Sequence, residues 1–462
     1  MKKIFGTIAA FSGVGVAAMF NAAHADQAQI DALQNAVLEL KQEMSKEKSK
    51  AYFNKGKGLS IKSNDGKYEF QIKGRLMADF SAILGGNDVL SNPSRADSIG
   101  TYGNEFRRAR FSIKGKIGDG WGFAFQPDFA ETVADNTNST GAKGVDVKDA
   151  LIYKGIKGIG KISIGNVKSA GGMWENTSSN SLLFMERPMY NEAANLAHRW
   201  GIHYDTAGAF GKPFHLKATL GAGAEGAWRQ EQEDSDTVED RWVASVAAHY
   251  TQTLGKKHSL LIGGSWTYEN LSDGNARDVE ARANGVHTLG EKIQDGALAD
   301  IEDYSYGGPQ IAYTNGPLFA AAEYYYVRAS RVANNSDMGQ KQFDDFTANG
   351  YSAFVHYFVQ GGANVKINNK KGGISGVKCK SPTGCTAVKL MFEGLNFAQD
   401  ELSLTGTDGK VLHWGINHYF NSNVRIMVDM ARGIYNNGTG LDSIHGATHN
   451  MTSLQTRLHL KF

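Results

Sequence analysis

A two-residue alternation of apolar and polar side chains, sustained from about residue 59 to the last residue, limits the fold of this chain most. In 68–80 one parity reads Tyr68, Phe70, Ile72, Gly74, Leu76, Ala78 and Phe80, and the other Glu69, Gln71, Lys73, Arg75, Met77 and Asp79. Residues 241–250 alternate through Trp242, Ala244, Val246, Ala248 and Tyr250. The last ten residues set Leu454, Thr456, Leu458, Leu460 and Phe462 against Ser453, Gln455, Arg457, His459 and Lys461. That is the period of a β-strand, whose successive side chains point to opposite faces. With 55 glycines in 462 residues, only 7 prolines and 10% aromatics, the chain suits long antiparallel strands with tight turns, not disorder.

A soluble sandwich would alternate too. Three features favour a membrane barrel. Several strands reach ten residues or more, the length that crosses a bilayer at a tilt of about 45°. Aromatic residues gather near strand ends, as at Trp121, Phe123, Phe125, Trp266, Tyr268, Tyr419 and Phe420, in the manner of interfacial girdles. The chain also stops on Phe462 at the end of an amphipathic strand. A mean hydropathy of −0.37 excludes a polytopic helical membrane protein but not a barrel.

Short connections such as 118–120 and 255–257 alternate with long ones at about 81–105, 130–146, 168–197, 225–239, 270–301, 329–344, 398–410 and 434–450. Long outer loops and short inner turns predict an all-β fold, a sixteen-stranded antiparallel transmembrane β-barrel over 59–462. The connection 359–387 is long where parity asks for a short turn. A barrel of this size encloses more space than side chains fill, so a water-filled interior is expected.

The N-terminus reads differently. Lys2 and Lys3, an apolar stretch over 4–20 and Ala23-His24-Ala25 predict a cleaved signal peptide over 1–25. A membrane anchor is the alternative, disfavoured by Gly13 and Gly15. In 26–50, Ile30, Leu33, Val37, Leu40 and Met44 follow heptad spacing. They predict a short oligomeric coiled coil on the periplasmic side, or else an amphipathic helix lying on its own domain. Residues 51–58 read as a linker.

Without Lys2 and Lys3, 47 basic residues face 47 acidic ones, which gives no support for a nucleic-acid partner. Locally the balance breaks. In 106–116, FRRARFSIKGK, Arg108, Arg110, Ser112, Lys114 and Lys116 share one parity, with Ala109, Phe111 and Ile113 on the other. Their charges would stand about 7 Å apart along one inner face. Arg107 has the opposite parity and joins the row only through a bulge. Lys73 and Arg75 lie on the polar face of the preceding strand. Such cations either attract anions or pair with loop acids and brace the wall.

Cys379 and Cys385 predict a disulfide in an exported chain. Two thiols without nearby histidine do not complete a metal site. The sequence carries no P-loop, dinucleotide fingerprint or nucleophile elbow, so no catalytic residue or cofactor is expected. Ser259 beside His258 and Ser453 near His459 give a barrel enzyme little support. A structural adhesin or peptidoglycan tether using 27–50 is a further alternative.

Several segments resemble the phosphate-selective porin O/P family. They are FRRAR, VKDA at 147–150, SIGNVK at 163–168, TSSNSLLFMER at 177–187, NGP before a strand ending in AEYYYVR, and NSNVRIMV near the end. The resemblance implies a trimeric outer-membrane barrel of a Gram-negative bacterium, set among membrane lipid and lipopolysaccharide. It implies an arginine ladder and a lysine cluster that conduct small inorganic anions, phosphate or related oxyanions, past an inward-folded third loop. By motif, Arg107, Arg108 and Arg110 would be ladder residues. Lys168 takes the family's lysine position, with NVK for the usual G-Q-[FY]-K. Arg187 and Arg199 bracket the third loop, and Arg282, near His287, falls where the fifth loop often carries arginine. The acidic run 231–236 departs from the pattern and keeps a general, weakly selective diffusion porin as the alternative.

Overall fold

In the structure, a computed structural model, the described residues are 31–32, 34–39, 50–54, 58–86, 102–130, 145–211, 213–222, 241–288, 292–331, 345–397, 408–436 and 448–462. Residues 31–32 and 34–39 are helical and exposed. The expected signal peptide and the remainder of the heptad segment, up to residue 49, lie outside the described residues. Two short strands follow, β1 (Lys50–Asn54) and β2 (Gly58–Lys62), paired as a hairpin. The segment expected as a linker, 51–58, thus carries most of β1.

The barrel begins with β3 (Tyr68–Gly85), β4 (Tyr102–Ile117), β5 (Trp121–Asp128), β6 (Asp146–Ile156), β7 (Gly160–Lys168), β8 (His198–Asp205), β9 (Phe214–Ala222) and β10 (Trp242–Gly255). It continues through β11 (His258–Arg282), β12 (Lys292–Asn315), β13 (Leu318–Arg331) and β14 (Phe346–Gln360). A small hairpin, β15 (Asn364–Asn368) and β16 (Gly373–Lys378), interrupts the series. The barrel then resumes with β17 (Cys385–Asn396), β18 (Asp408–Tyr419), β19 (Val424–Asn436) and β20 (Thr448–Lys461). Each barrel strand pairs antiparallel with the next, and β20 pairs back onto β3, which closes a sixteen-stranded barrel. At the seam, the Gly74 and Phe462 backbones exchange hydrogen bonds of 3.0 and 3.1 Å. The tip of the Phe462 ring lies where a Cβ on Gly74 would stand, so a larger residue there would have to push the terminal ring aside.

The alternation sorts the wall inside out relative to a soluble protein. Leu76, Phe111, Ile152, Ile164, Ile202, Leu220, Ile262, Leu390 and Leu458 are exposed on the outer face. Asp79, Arg108, Ser112, His203, Glu323, Lys389 and Arg457 are buried on the inner one. Among the expected girdle residues, Trp121, Phe125, Trp266 and Phe420 are exposed, but Tyr419 faces inward beside Arg425.

Two expectations are corrected. Residues 270–301 are not an open loop, because β11 and β12 extend through most of them as one long hairpin. Strand lengths are uneven: β11 has 25 residues and β5 has 8. The interior is also not wholly water-filled, although the inward fold of the third loop is what the family resemblance implied. The third long connection, 169–197, folds into the barrel and packs Met173, Trp174, Leu183, Phe184 and Tyr190 into a core with Tyr306, Phe319, Tyr325 and Phe354. This apolar packing fills the side of the lumen under β12–β14 and β17.

The long connection between β14 and β17 is part of the same packing. Its hairpin β15–β16 sits inside the barrel: the Thr314 hydroxyl of β12 donates to the Val365 carbonyl at 3.0 Å, and the Ile374 amide donates to Thr177 Oγ1 at 2.9 Å. Cys379 and Cys385 form the expected disulfide at the base of this hairpin.

Candidate functional site: an inward loop facing a cationic wall

An irregular backbone inside a barrel must find partners for its amides and carbonyls. The third connection finds them on inward side chains of the wall. Its first part contains helix α1 (Met173–Asn176), where the Gly172 amide donates to Tyr325 Oη at 3.1 Å and the Trp174 amide to Glu323 Oε2 at 3.3 Å. Its middle part crosses β17–β20. There Arg425 donates to the Leu182 carbonyl at 2.7 Å, and Lys389 and Asn417 donate to the Leu183 carbonyl at 2.9 and 2.8 Å. The Met185 amide donates to Asp429 at 2.9 Å, and Arg457 donates to the Met185 carbonyl. Before helix α2 (Met189–Ala194), the Met189 amide donates to Glu393 at 2.6 Å. The loop is thus stitched to β12–β13 and β17–β20. The wall from β3 to β9 carries most of the expected cations and meets the loop through several of them, Arg75, Arg107, Arg108, Lys168 and Lys217.

On β4 the parity holds: Ser112 is buried inside and Phe111 exposed outside. Arg107 reaches the same interior because the register slips between Met77↔Arg108 and Ala78↔Phe106, leaving Arg107 as the extra residue of a bulge. Arg107 and Arg108 both turn to Glu186 of the inward loop, Arg107 Nε at 3.1 Å and Arg108 Nη2 at 3.0 Å. Arg457 of β20 meets the same carboxylate at 2.7 Å and grips Asp79 through two nitrogens at 2.7 and 2.6 Å. Burial alone would raise the Glu186 carboxyl, but Arg107, Arg108 and Arg457 hold it well below its usual range.

A second cluster lies beside the first. Lys168, at the end of β7, meets Glu175 Oε1 at 2.7 Å, and Arg187 meets Glu175 Oε2 at 3.5 Å. Arg187 also donates to the Trp174 and Thr177 carbonyls, both at 2.9 Å, and so caps α1. Burial opposes the charge on Glu175, yet Lys168 and Arg187 lower its carboxyl to about 2. Arg110 pairs with Asp128 at 2.6 Å, and Arg75 donates to Ser179 of the loop.

Towards the short-turn end, Lys114 lies in electrostatic reach of Lys73, Lys161 and, on the inward hairpin, Lys371, and Lys217 lies in reach of Lys161 and Lys371, with Asp149 and Asp205 among them. Among the described residues, the wall from β3 to β9 therefore carries a file of cations interspersed with fewer acids.

The structure brings Arg75, Arg107, Arg108, Arg110, Lys168 and Arg187 around the inward loop, and Lys73 below them. Arg199 is buried on β8 and donates to the His198 carbonyl at 2.9 Å. Arg282 pairs with Glu192 of α2, which ties the β11–β12 hairpin to the loop, and His287 pairs with Glu105 at 3.0 Å. Sequence reading missed Glu186, Glu175, Asp128 and Arg457 as partners, and Lys161 and Lys217 as wall cations. Ser453 and His459 have separate partners, Asn284 and Asn180.

The family profile described as phosphate-selective porin O and P matches residues 70–462. Porin O of Pseudomonas aeruginosa is 24% identical over 396 residues, which cover 80% of this chain and 84% of that protein. An anion-selective porin from Comamonas acidovorans has a similar fold, with a TM-score of 0.50 and 13% identity over 86% of this chain and all of that one.

Proposed function

Because the chain belongs to the phosphate-selective porin O and P family, we propose that it is an outer-membrane channel through which small anions, phosphate or related oxyanions, diffuse passively. The observation that carries this reading is the asymmetric interior. An inward loop braced on β12–β14 and β17–β20 faces a wall on which Lys73, Arg75, Arg107, Arg110, Lys114, Lys161 and Lys217 converge. A phosphate entering a narrow passage sheds water. Guanidinium and ammonium groups replace those contacts with charge-assisted hydrogen bonds. Several weak sites in series pass an ion along where one tight site would hold it.

In this reading Arg75, Arg107, Arg110, Lys168 and Arg187 line the constriction beside the loop. Lys73, Lys114, Lys161, Lys217 and Lys371 draw the ion on from it. Arg108 and Arg199 brace the frame, since both are buried, and Arg282 ties the β11–β12 hairpin to the loop through Glu192. The end with short turns faces the periplasm, three copies assemble in the membrane among lipid and lipopolysaccharide, and residues 1–25 are removed on export. The channel performs no chemical step.

The test is chloride current through the purified channel in a planar bilayer, titrated with phosphate. The proposal expects phosphate to block chloride current in a concentration-dependent way. It also expects the block to weaken when Arg110 and Lys168 are both changed to Gln. Chloride current indifferent to phosphate would leave the general diffusion porin as the better description.

A further inference from the structure

Three guanidiniums converge on a single carboxylate, and the surroundings of Glu186 explain why it can hold them. Its neighbour Met185 is fixed through both its amide and its carbonyl, by Asp429 and Arg457. The Glu186 carboxylate is therefore held between β4 and β20 by its own backbone. Arg108 meets it with two nitrogens, Nη1 and Nη2, at 3.1 and 3.0 Å. The exposures of the three arginines differ: 22% for the Arg107 side chain, 4% for Arg108 and 0% for Arg457. Glu186, Asp79 and Glu105, the last within reach of Arg107 and paired with His287, thus match the three arginines in charge, so loss of the Glu186 charge alone would leave one positive charge over; Arg107 is the arginine of the cluster that stays accessible.

We infer that Glu186 is a selectivity-setting residue: by engaging Arg108, it fixes how much positive charge this part of the wall presents to a passing anion. The inference rests on the reading of the chain as an anion channel. It adds that anion preference is set below what the arginines alone would give. A carboxylate beside the path weakens an anion's attraction to the same wall, and in a passage walled by protein its charge is screened less than in open water. A weaker well lets the ion leave sooner, which favours conduction over retention.

Glu186→Gln keeps the side chain's shape and its capacity to accept from Arg108 but removes the charge. In a salt gradient across a planar bilayer, the variant is expected to shift the reversal potential towards anions. Its half-blocking phosphate concentration should fall about threefold to tenfold, the scale of one charge at several ångströms in a partly screened site. The double variant Glu186→Gln, Arg108→Gln restores the local charge and should return both readings towards those of the natural channel.

If Glu186 only anchors the loop, its loss loosens the constriction. Conductance then rises without added anion preference, and Arg108→Gln restores nothing. That outcome, or an unchanged reversal potential in Glu186→Gln, overturns the inference. Should Glu186→Gln fail to assemble, Glu186→Asp withdraws the charge by one methylene and is expected to shift both readings in the same direction, less far; no shift there overturns the inference equally. Failure of the underlying reading looks different, because the natural channel would itself show no anion preference while the shift between variants could still be measured.

Discussion

Arg457 has no exposed surface, and such burial is tolerable because two carboxylates and a carbonyl surround the guanidinium. Arg457→Leu would strand Asp79 and leave Glu186 with fewer partners. Removing one member of a buried ion pair costs about 3–5 kcal/mol, so the folded barrel should unfold at clearly lower temperature or urea concentration. Glu175 gives a pH test. Its carboxyl is lowered in the fold, so its stabilising contribution is complete above the unfolded value, 4.5, and is lost as pH falls towards about 2. Unfolding temperature is expected to change little from pH 7 to pH 5 on this account and to drop between pH 4 and pH 2. The drop should be smaller in Glu175→Gln. The inward direction of Arg108 and Arg110 was legible from parity alone, because an arginine facing lipid at mid-bilayer costs about 2–4 kcal/mol. Their partners were not legible. Glu186 is 78 residues from Arg108 and 271 from Arg457. Only closure of the barrel and entry of the loop bring them together.

The hairpin β15–β16 and the connection 169–197 form one packed unit, joined where the Ile374 amide meets Thr177. The Cys379–Cys385 bridge closes a short loop at the hairpin's base. A loop of this size constrains the unfolded chain by about 2 kcal/mol. Cys379→Ser with Cys385→Ser is therefore expected to lower thermal stability by that order. Replacing residues 364–378 with two glycines removes what braces the underside of the inward loop, and single-channel conductance should rise; a conductance equal to the natural value would show that the hairpin lies clear of the path. The sequence displayed the bridge through two cysteines six residues apart in a chain read as exported. It also displayed 359–387 as an exception to the short-turn rule, but not its inward fold, which depends on inner-face residues such as Thr314 on distant strands. Residues 270–301 misled because their polar, glycine-containing sequence reads as a loop, whereas β11 and β12 pair through most of it.

At the scale of the whole molecule, alternation, connection lengths and the exception at 359–387 together carried most of the architecture, since a period of two with one lipid face leaves few closed solutions. The inward third loop was implied only by the family resemblance, and its apolar packing over half the interior lay beyond that reading. Strand parity says which residues face inward but not which loop covers them, and the apolar residues of 173–190 show no period that announces a lumen. In the proposed reading the packed half matters for function because it would confine passage to the cationic half. Three copies are expected to assemble, and crosslinking of the purified protein in mild detergent should give a species of three times the chain mass; monomer alone would contradict the trimer. The central claim is that the wall from β3 to β9 makes the passage prefer anions. The zero-current potential of the natural channel in a potassium chloride gradient tests it most directly. A potential of the sign set by chloride is expected, diminished when Arg75, Arg110 and Lys168 are all changed to Gln. A potential near zero, or of the sign set by potassium, in a folded natural channel would contradict it.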